Sequence, residues 1–174
     1  MFKQGWYKKS QHIKSSNFNQ RPKENDISLV VIHCISLPEG DYNNDNVESL
    51  FTNTLDDNQH ESFDSLKGVE VSAHFYIKRD GQIVQFVSVD DRAWHAGISQ
   101  YQGRASCNDF SVGIEMQGTD ATEYTKEQYN SLNALLNDLK NDYPSIVNIT
   151  GHENIASGRK TDPGRCFEWS KVKF

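Results

Sequence analysis

A single α/β domain with a mixed central β-sheet flanked by helices is the fold class that the sequence predicts. Strand-like and helix-like stretches alternate along the chain, which is typical of layered α/β folds. Residues 28–35 are apolar on both faces apart from one histidine, as expected for a central strand that is covered on both sides. One hairpin adds antiparallel pairing, so we expect a mixed sheet that carries its functional site at strand ends.

The first part of the chain is mostly polar. Residues 1–27 form a lead-in whose Trp6 and Tyr7 we expect to pack against the domain. From residue 36 to residue 68 the periodicity is weak, except for a short predicted helix near residues 47–51. Because long segments of this kind are often functional loops, this one is a candidate for part of the site.

A hairpin is predicted next. Residues 71–77 and 82–89 are strand-like, and the Asp80-Gly81 pair between them is a strong turn signal. His74 lies in the first strand, and Trp94-His95-Ala96-Gly97 follows the second.

The segment 110–116 is predicted to be a strand with two different faces. Alternation divides it into an apolar face and a polar face. The apolar set is Phe110, Val112, Ile114 and Met116, and the polar set is Ser111, Gly113 and Glu115. Two small residues followed by a carboxylate indicate an open hollow above the sheet with Glu115 inside it. The alternative, a Glu115 that faces solvent, is common on alternating strands.

The clearest helix lies in the last third of the chain. Thr125, with Gln128 three residues later, forms a capping-box pattern, and apolar residues then recur at helical spacing. Pro144 ends this helix. Residues 146–149 are predicted to form a last short strand that delivers His152 at its C-terminal end.

Composition and charge narrow the class of protein. The 174 residues contain no apolar run near the roughly 18 residues of a membrane span, and residues 10–27 lack the apolar segment of a secretory signal. A net charge of −6 disfavours nucleic acid as a partner. Three widely spaced cysteines without a CxxC pair suit a reducing compartment. We therefore expect a cytoplasmic monomer without membrane or nucleic-acid partners.

A stretch near the C-terminus contains candidate metal ligands. His152 and Asp162 lie within residues 151–164, which glycine and proline mark as loop. Imidazole nitrogen and carboxylate oxygen bind zinc, and a catalytic zinc site leaves one of four positions open. His33, in the central strand, is the candidate third ligand. Ala156 rules out the HExxH zinc pattern, and pattern alone also allows His152 as a turn residue and His33 as a hydrogen-bonded core histidine.

Six motifs occur in order along the chain. They are Val31-Ile32-His33, Val71-Ser72-Ala73-His74-Phe75, Arg79-Asp80-Gly81, Arg92-Ala93-Trp94-His95-Ala96-Gly97, Cys107-Asn108-Asp109-Phe110-Ser111-Val112-Gly113-Ile114-Glu115, and Gly151-His152 with Arg159-Lys160-Thr161-Asp162-Pro163-Gly164. Together they resemble the AmpD type of N-acetylmuramoyl-L-alanine amidase. This bacterial cytosolic branch belongs to the family that also holds phage amidases and peptidoglycan recognition proteins. The resemblance covers nearly the whole chain.

The resemblance implies the fold of that family and a Zn²⁺ site made by His33, His152 and Asp162. It also implies that Glu115 and Lys160 are catalytic. The chemistry fits, because a carboxylate can take a proton from water and pass it to the departing amine, while an ammonium stabilises the oxyanion. An ion pair between Lys160 and Asp162 is the alternative for that lysine.

The family reaction is hydrolysis of the amide between the lactyl group of N-acetylmuramic acid and L-alanine of the stem peptide. For this branch the resemblance implies a small soluble muropeptide with a 1,6-anhydro sugar, produced in peptidoglycan recycling. Loss of the activity induces β-lactamase in some bacteria. Residues 1–174 are expected to form one zinc amidase domain on which the lead-in, residues 1–27, packs.

Substrate-binding positions are also implied by the resemblance. They are Trp94, Arg159, Ala156, Arg104 and Cys34. An indole face suits a sugar ring, and a planar guanidinium suits substrate carboxylates. His74 matches a non-ligating family position and is expected to be structural.

Three positions depart from the family pattern. Cys34 stands where asparagine is expected, and Glu70 and Ser106 stand where arginines are expected, although Arg104 lies near the second. We therefore expect the acidic stem peptide to bind more weakly or differently than in relatives.

Three rival functions are a non-catalytic module that binds wall fragments, a secreted or phage amidase that acts on intact murein, and a purely structural zinc protein. The complete set of candidate ligands and catalytic residues disfavours the first. The acidic net charge and the lack of a signal segment disfavour the second, since the wall polymers are anionic. Structural zinc sites usually have four protein ligands, which disfavours the third.

Overall fold

The computed structural model describes residues 1–22 and 26–174, so positions 23–25 of the predicted lead-in lie outside the described residues. The strands are β1 (Phe2–Lys3), β2 (Trp6–Tyr7), β3 (Gln11–His12), β4 (Phe18–Gln20), β5 (Leu29–Ile35), β6 (Phe75–Ile77), β7 (Ile83–Gln85), β8 (Asp91–Ala93), β9 (Gln100–Tyr101), β10 (Arg104–Ala105), β11 (Ser111–Gln117) and β12 (Asn148–Gly151). The α-helices are α1 (Asn46–Phe51), α2 (Lys126–Asp142) and α3 (His152–Ile155), and the 3₁₀ helices are Glu61–Leu66, Cys107–Asp109 and Trp169–Lys171.

The main sheet is mixed, as the sequence predicts. Its order is β12-β5-β11-β6-β7-β3. Strands β12, β5, β11 and β6 are parallel neighbours, β6 and β7 form the predicted hairpin, and β3 lies parallel to β7. Within residues 1–22 and 26–174, three further two-stranded sheets are formed, namely β1-β2, β4-β8 and β9-β10. The central position of β5 explains why its residues are apolar on both faces.

Helix α2 covers one face of the sheet. Its Leu132, Leu135, Leu136 and Leu139 are fully buried and belong to one cluster with Val30 and Ile32 of β5 and with Val112, Ile114 and Met116 of β11. The predicted capping box is present, since the Gln128 amide donates to Thr125 Oγ1 and the Thr125 amide donates to the Gln128 side-chain oxygen, both at 3.1 Å. Each such cap satisfies amide groups that the first helical turn leaves without partners.

The lead-in packs on the domain. Tyr7 is fully buried, and its hydroxyl donates to Asp138 Oδ2 of α2 at 2.7 Å. Trp6 is half-buried against the His12 ring. Strand β3 of the same segment extends the main sheet, so this part of the chain is structured rather than only a polar lead-in. Among the described residues, no helix is long and apolar enough to cross a membrane.

Three predicted boundaries are wrong in detail. The hairpin strands are shorter, with residues 71–74 irregular, although the Ser72 and His74 amides still donate to the carbonyls of Trp94 and Gly113. The last strand is β12 rather than residues 146–149, because pairing with β5 begins at Asn148. Phe110 does not share the apolar face of β11, because it precedes the strand with ψ 12° and packs in a different cluster.

Candidate metal centre and active site

Adjacent parallel strands bring His33 and Glu115 together. The register of β5 and β11 pairs these two residues directly. Both lie on the face of the sheet opposite α2 and line the same cavity. The hollow that alternation predicts on this face is therefore present, and both small residues of the polar face are buried with Glu115.

The C-terminal loop brings Asp162 back to His152. His152 follows β12 directly, and the Glu153 amide donates to the Asp162 carbonyl at 2.9 Å. Gly151 allows this close return, since a Cβ there would lie 2.8 Å from Cδ of Pro163. The glycine and proline of the loop thus have a steric role that places two side chains at one point.

Three side-chain atoms converge at this point. His33 Nδ1, His152 Nδ1 and Asp162 Oδ2 are each 3.0 Å from the other two. Ordinary hydrogen bonds do not account for this triangle, because a single imidazole N–H cannot point at two acceptors at once. The side length is close to the edge of about 3.3 Å expected between ligand atoms of tetrahedral zinc. The donor set therefore fits a metal ion, and these three residues form a group that can hold one.

The electrostatics of the triangle suit a cation. Burial lowers the pKa of His33 to about 4, so its imidazole is neutral at pH 7. Burial alone raises the pKa of Asp162, but the close contacts with His152 and His33 outweigh burial and hold that pKa well below its ordinary value. His152 Nε2 donates to the Ala96 carbonyl at 3.1 Å, which directs the Nδ1 lone pair of a neutral ring toward the triangle.

Glu115 is a buried carboxyl group without a full set of partners. Its Oε2 has no hydrogen-bond partner among the described residues. Burial, reinforced by the charge of Asp162, raises the pKa of Glu115 well above its ordinary value, and Lys160 opposes this shift. A carboxyl group with a free oxygen and a raised pKa, facing a cavity beside a metal site, is well suited to exchange a proton with a reactant.

The cavity in front of the triangle has a volume of about 290 Å³. Lys160 is exposed and lines it, and the ion-pair partners of Asp162 are His33 and His152 rather than this lysine. The opposite wall is apolar. It is formed by Leu50, Phe51, Leu66, Val69 and Val71, most of which come from the segment 36–68 that the sequence singles out as a functional loop.

The structure brings some of the predicted substrate-binding residues to this cavity and not others. Trp94 and Cys34 line it. Arg159 lies outside the lining and donates to the carbonyls of Ala96 and Ile98. Ala156 lies at the base of the loop, where its carbonyl accepts from the Lys160 amide. The roles of these residues toward substrate stay predictions.

Arg104 lies apart from the cavity. Its guanidinium contacts Asp26 Oδ2 at 2.6 Å and stacks 3.9 Å above the Phe110 ring. Of the departing positions, Glu70 lines an adjoining cavity of about 210 Å³, and Ser106 precedes a 3₁₀ helix with φ 61°. Cys34 lies 3.4 Å from Asp120 Oδ1.

Two buried histidines accompany the site. His74 is structural, as predicted, since its Nδ1 accepts from the Gly113 amide and its Nε2 donates to the Asp91 carbonyl. His95 also lines the cavity and contacts His33, but sequence reasoning assigned it no role. The one feature of the sequence that could have indicated a role for His95 is its place in the Trp94-His95-Ala96-Gly97 motif.

Comparison with known proteins agrees with this geometry. Residues 23–165 match the family described as Amidase_2, N-acetylmuramoyl-L-alanine amidase. The chain belongs to the N-acetylmuramoyl-L-alanine amidase family. Its similarity to AmpD proteins places it in the AmpD branch. It is 48% identical to the 1,6-anhydro-N-acetylmuramyl-L-alanine amidase AmpD of Citrobacter freundii, over 98% of this chain and 91% of that protein.

Two further comparisons support the same branch of the amidase family. The AmpD of Escherichia coli strain K12 is 47% identical over 99% of this chain and 95% of its own length. A crystal structure of a selenomethionine AmpD derivative superposes with a TM-score of 0.96, at 47% identity and 99% coverage of both chains. The predicted fold class and the predicted family are therefore confirmed.

Proposed function

We propose that this amidase hydrolyses the bond between 1,6-anhydro-N-acetylmuramic acid and L-alanine in small soluble muropeptides of peptidoglycan recycling. The observation that carries the proposal is the triangle of His33, His152 and Asp162 beside Glu115 and Lys160. The activity for which the AmpD relatives are named, that of a 1,6-anhydro-N-acetylmuramyl-L-alanine amidase, supports the choice of substrate.

We propose Zn²⁺ as the metal of this triangle. Two imidazole nitrogens and one carboxylate oxygen are ligands that catalytic zinc favours, with a fourth position left open. When bound, the ion supplies a Lewis acid that polarises the amide carbonyl and acidifies water.

Glu115 is proposed as the general base and then the general acid. Its Oε2 accepts a proton from the attacking water and returns it to the departing amine of L-alanine. The raised pKa of Glu115 favours protonation of its carboxylate, so the carboxyl group can hold the proton until it is transferred to the departing amine.

Lys160 is proposed to stabilise the oxyanion. Its ammonium lies at the cavity wall and is not engaged by Asp162. A cation held beside the developing negative charge lowers the barrier, and removal of such a donor typically costs about 10²–10³ in rate.

Residues 1–174 are proposed to act as one zinc amidase domain, with residues 1–27 packed on it. The participation of β3 in the main sheet supports this. A cytoplasmic location is also proposed, and it is supported by three cysteines that are all free thiols.

The test is incubation of the protein with an anhydro-muropeptide, with and without a chelator, followed by mass analysis of the products. We expect release of the free peptide and the anhydro-sugar acid, loss of turnover with chelator and recovery with zinc. Preferential release of peptide from whole murein sacculi would favour a wall-lytic amidase instead. Binding without cleavage would contradict the proposal.

A second assay tests the effect of Glu70, which stands where the family pattern has arginine, on substrate binding. Glu70 beside the cavity is expected to weaken binding of the acidic stem peptide, so Glu70→Arg should lower KM with little change in kcat. Glu61→Arg, on an exposed helix residue with the same charge change, is the control. Equal KM values for the protein and its Glu70→Arg variant would contradict this expectation.

A further inference from the structure

His95 is held between a metal-ligand histidine and the sheet. Its Nδ1 lies 2.9 Å from His33 Nε2, and the two rings are nearly perpendicular with centroids 5.0 Å apart. On the other side, its Nε2 lies 3.1 Å from Ser111 Oγ. We propose that His95 is a positioning residue that fixes the tautomer and ring orientation of His33, and that Ser111 in turn fixes His95. This inference rests on the proposed metal site.

The direction of each hydrogen bond follows from the last contact in the chain. Ser111 Oγ donates to the Cys107 carbonyl at 2.6 Å, so its oxygen is left to accept the N–H of His95 Nε2. A neutral His95 then has an unprotonated Nδ1, which accepts from His33 Nε2. His33 consequently keeps its lone pair on Nδ1, the atom that faces His152 and Asp162.

Steric contacts fix the His95 ring as firmly as its hydrogen bonds. The ring lies on Gly113, where a Cβ would be 2.5 Å from Cγ of His95. The backbone beside it is clamped, because Asn108 Oδ1 accepts from the amides of His95 and Ala96 at 3.1 and 2.8 Å. The small residues on the polar face of β11 therefore make room for His95 as well as for the cavity.

Two consecutive residues, His95 and Ala96, orient both imidazole ligands. The side chain of His95 binds His33, and the carbonyl of Ala96 accepts from His152 Nε2 at 3.1 Å. Arg159 donates to that carbonyl at 2.9 Å and to the Ile98 carbonyl at 2.7 Å, which fixes the loop from outside. Partners that hold the second nitrogen of a ligating histidine typically contribute about 10- to 100-fold to metal affinity.

The test is the zinc affinity of variants, measured by competition with a chromophoric chelator. His95→Leu removes the acceptor for His33, whereas His95→Asn keeps a side-chain oxygen near the position of Nδ1. We expect zinc affinity to fall about 10- to 100-fold in His95→Leu and only about threefold in His95→Asn. Ser111→Ala keeps the His95 ring but removes the hydroxyl group that binds its Nε2, so we expect an intermediate loss of zinc affinity.

His12→Gln is the matched control, because the His12 imidazole is exposed and packs on Trp6 in the lead-in, so this substitution should leave zinc affinity unchanged. The absorption spectrum of the cobalt-substituted protein provides a second readout. We expect its ligand-field bands to shift in Ser111→Ala, whose core packing is otherwise retained.

Three results would overturn the assignment. Equal losses in His95→Asn and His95→Leu, with an unchanged cobalt spectrum in Ser111→Ala, would reduce His95 to packing. Tight zinc binding by every variant would remove its role and leave the proposed function intact. Failure of the wild-type protein itself to bind zinc would instead overturn the proposed function along with this role.

Discussion

Strands β5 and β11 have two faces that share one backbone and differ completely in chemistry. Ile32 and Ile114 point into the apolar cluster under α2 and are fully buried. Their immediate neighbours His33 and Glu115 line the cavity on the other side. Because side chains alternate along a strand, a register shift of one residue would exchange the two sets. Residues that stabilise the fold and residues that form the candidate site are thus adjacent in the sequence and lie on opposite faces of the sheet.

The two faces make opposite contributions to stability. Full burial of an aliphatic side chain contributes roughly 1.5–3 kcal/mol. On the polar face, burial of the Glu115 carboxyl group without a partner for Oε2 opposes folding. The apolar face therefore stabilises a polar arrangement that would not hold together by itself.

Among substitutions on the two faces, His33→Ala is expected to have the largest effect. Removal of one ligand should abolish zinc retention and lower kcat/KM by more than about 10⁴. Metal content after dialysis and hydrolysis of anhydro-muropeptide are the measurements. Ile32→Val, one residue away on the opposite face, should keep both and lose only about 0.5–1.5 kcal/mol of stability. An Ile32→Val variant as inactive as His33→Ala would break the separation of the faces.

Glu115→Gln should lower kcat by about 10²–10⁴ while zinc stays bound, because the amide cannot accept the proton. Steady-state kinetics and metal content check this. Ile114→Val on the other face is the control and should retain kcat. Loss of zinc in Glu115→Gln would show that the carboxylate holds the metal rather than moving a proton.

Leu135→Ala is the complementary change on the apolar face. This fully buried side chain of α2 belongs to the main cluster, so truncation should cost about 2–5 kcal/mol of unfolding free energy. Zinc affinity and kcat of the folded fraction should be unchanged. Urea unfolding followed by kinetics at low denaturant gives both quantities, and a selective fall in kcat would contradict the expectation.

The smallest effect is a pH dependence of stability. Because burial raises the folded-state pKa of Glu115, its contribution is fully present below the ordinary pKa and is lost as pH rises through the folded value. In chelator-treated protein, Glu115→Gln should therefore be more stable than the parent by about 1–3 kcal/mol at pH 8 and no more stable near pH 4. Thermal unfolding across this range measures it. A stability difference that is independent of pH would contradict the assignment.

Local signals in the sequence predict the elements that local chemistry determines. Helix α2 begins at its capping box and ends before Pro144, and the central strand is within one residue of its predicted start. The last strand shifts by two residues because its extent is set by pairing with β5 rather than by its own apolar residues. Val147 illustrates this, because its β-branched side chain favours a strand but the residue is exposed and precedes the first residue of β12.

Residue chemistry marks His33, His152 and Asp162 as candidate metal ligands but leaves other roles open for the histidines, and only the ordered motifs join the three into one site. Periodicity placed Glu115 in a hollow, but nothing local relates His33 to His152, which are 119 residues apart. The support for His33 is harder still to predict, because His95 is 62 residues from it in the sequence and its second ring nitrogen contacts Ser111 of β11. Such contacts depend on tertiary packing, which leaves no periodic trace in the chain.

The separation of the ligands also has a consequence for biosynthesis. His33 and Asp162 are 129 residues apart, and β12 joins β5 only after most of the chain has been made. A nascent chain on the ribosome therefore cannot assemble the triangle of His33, His152 and Asp162 until Asp162 has emerged.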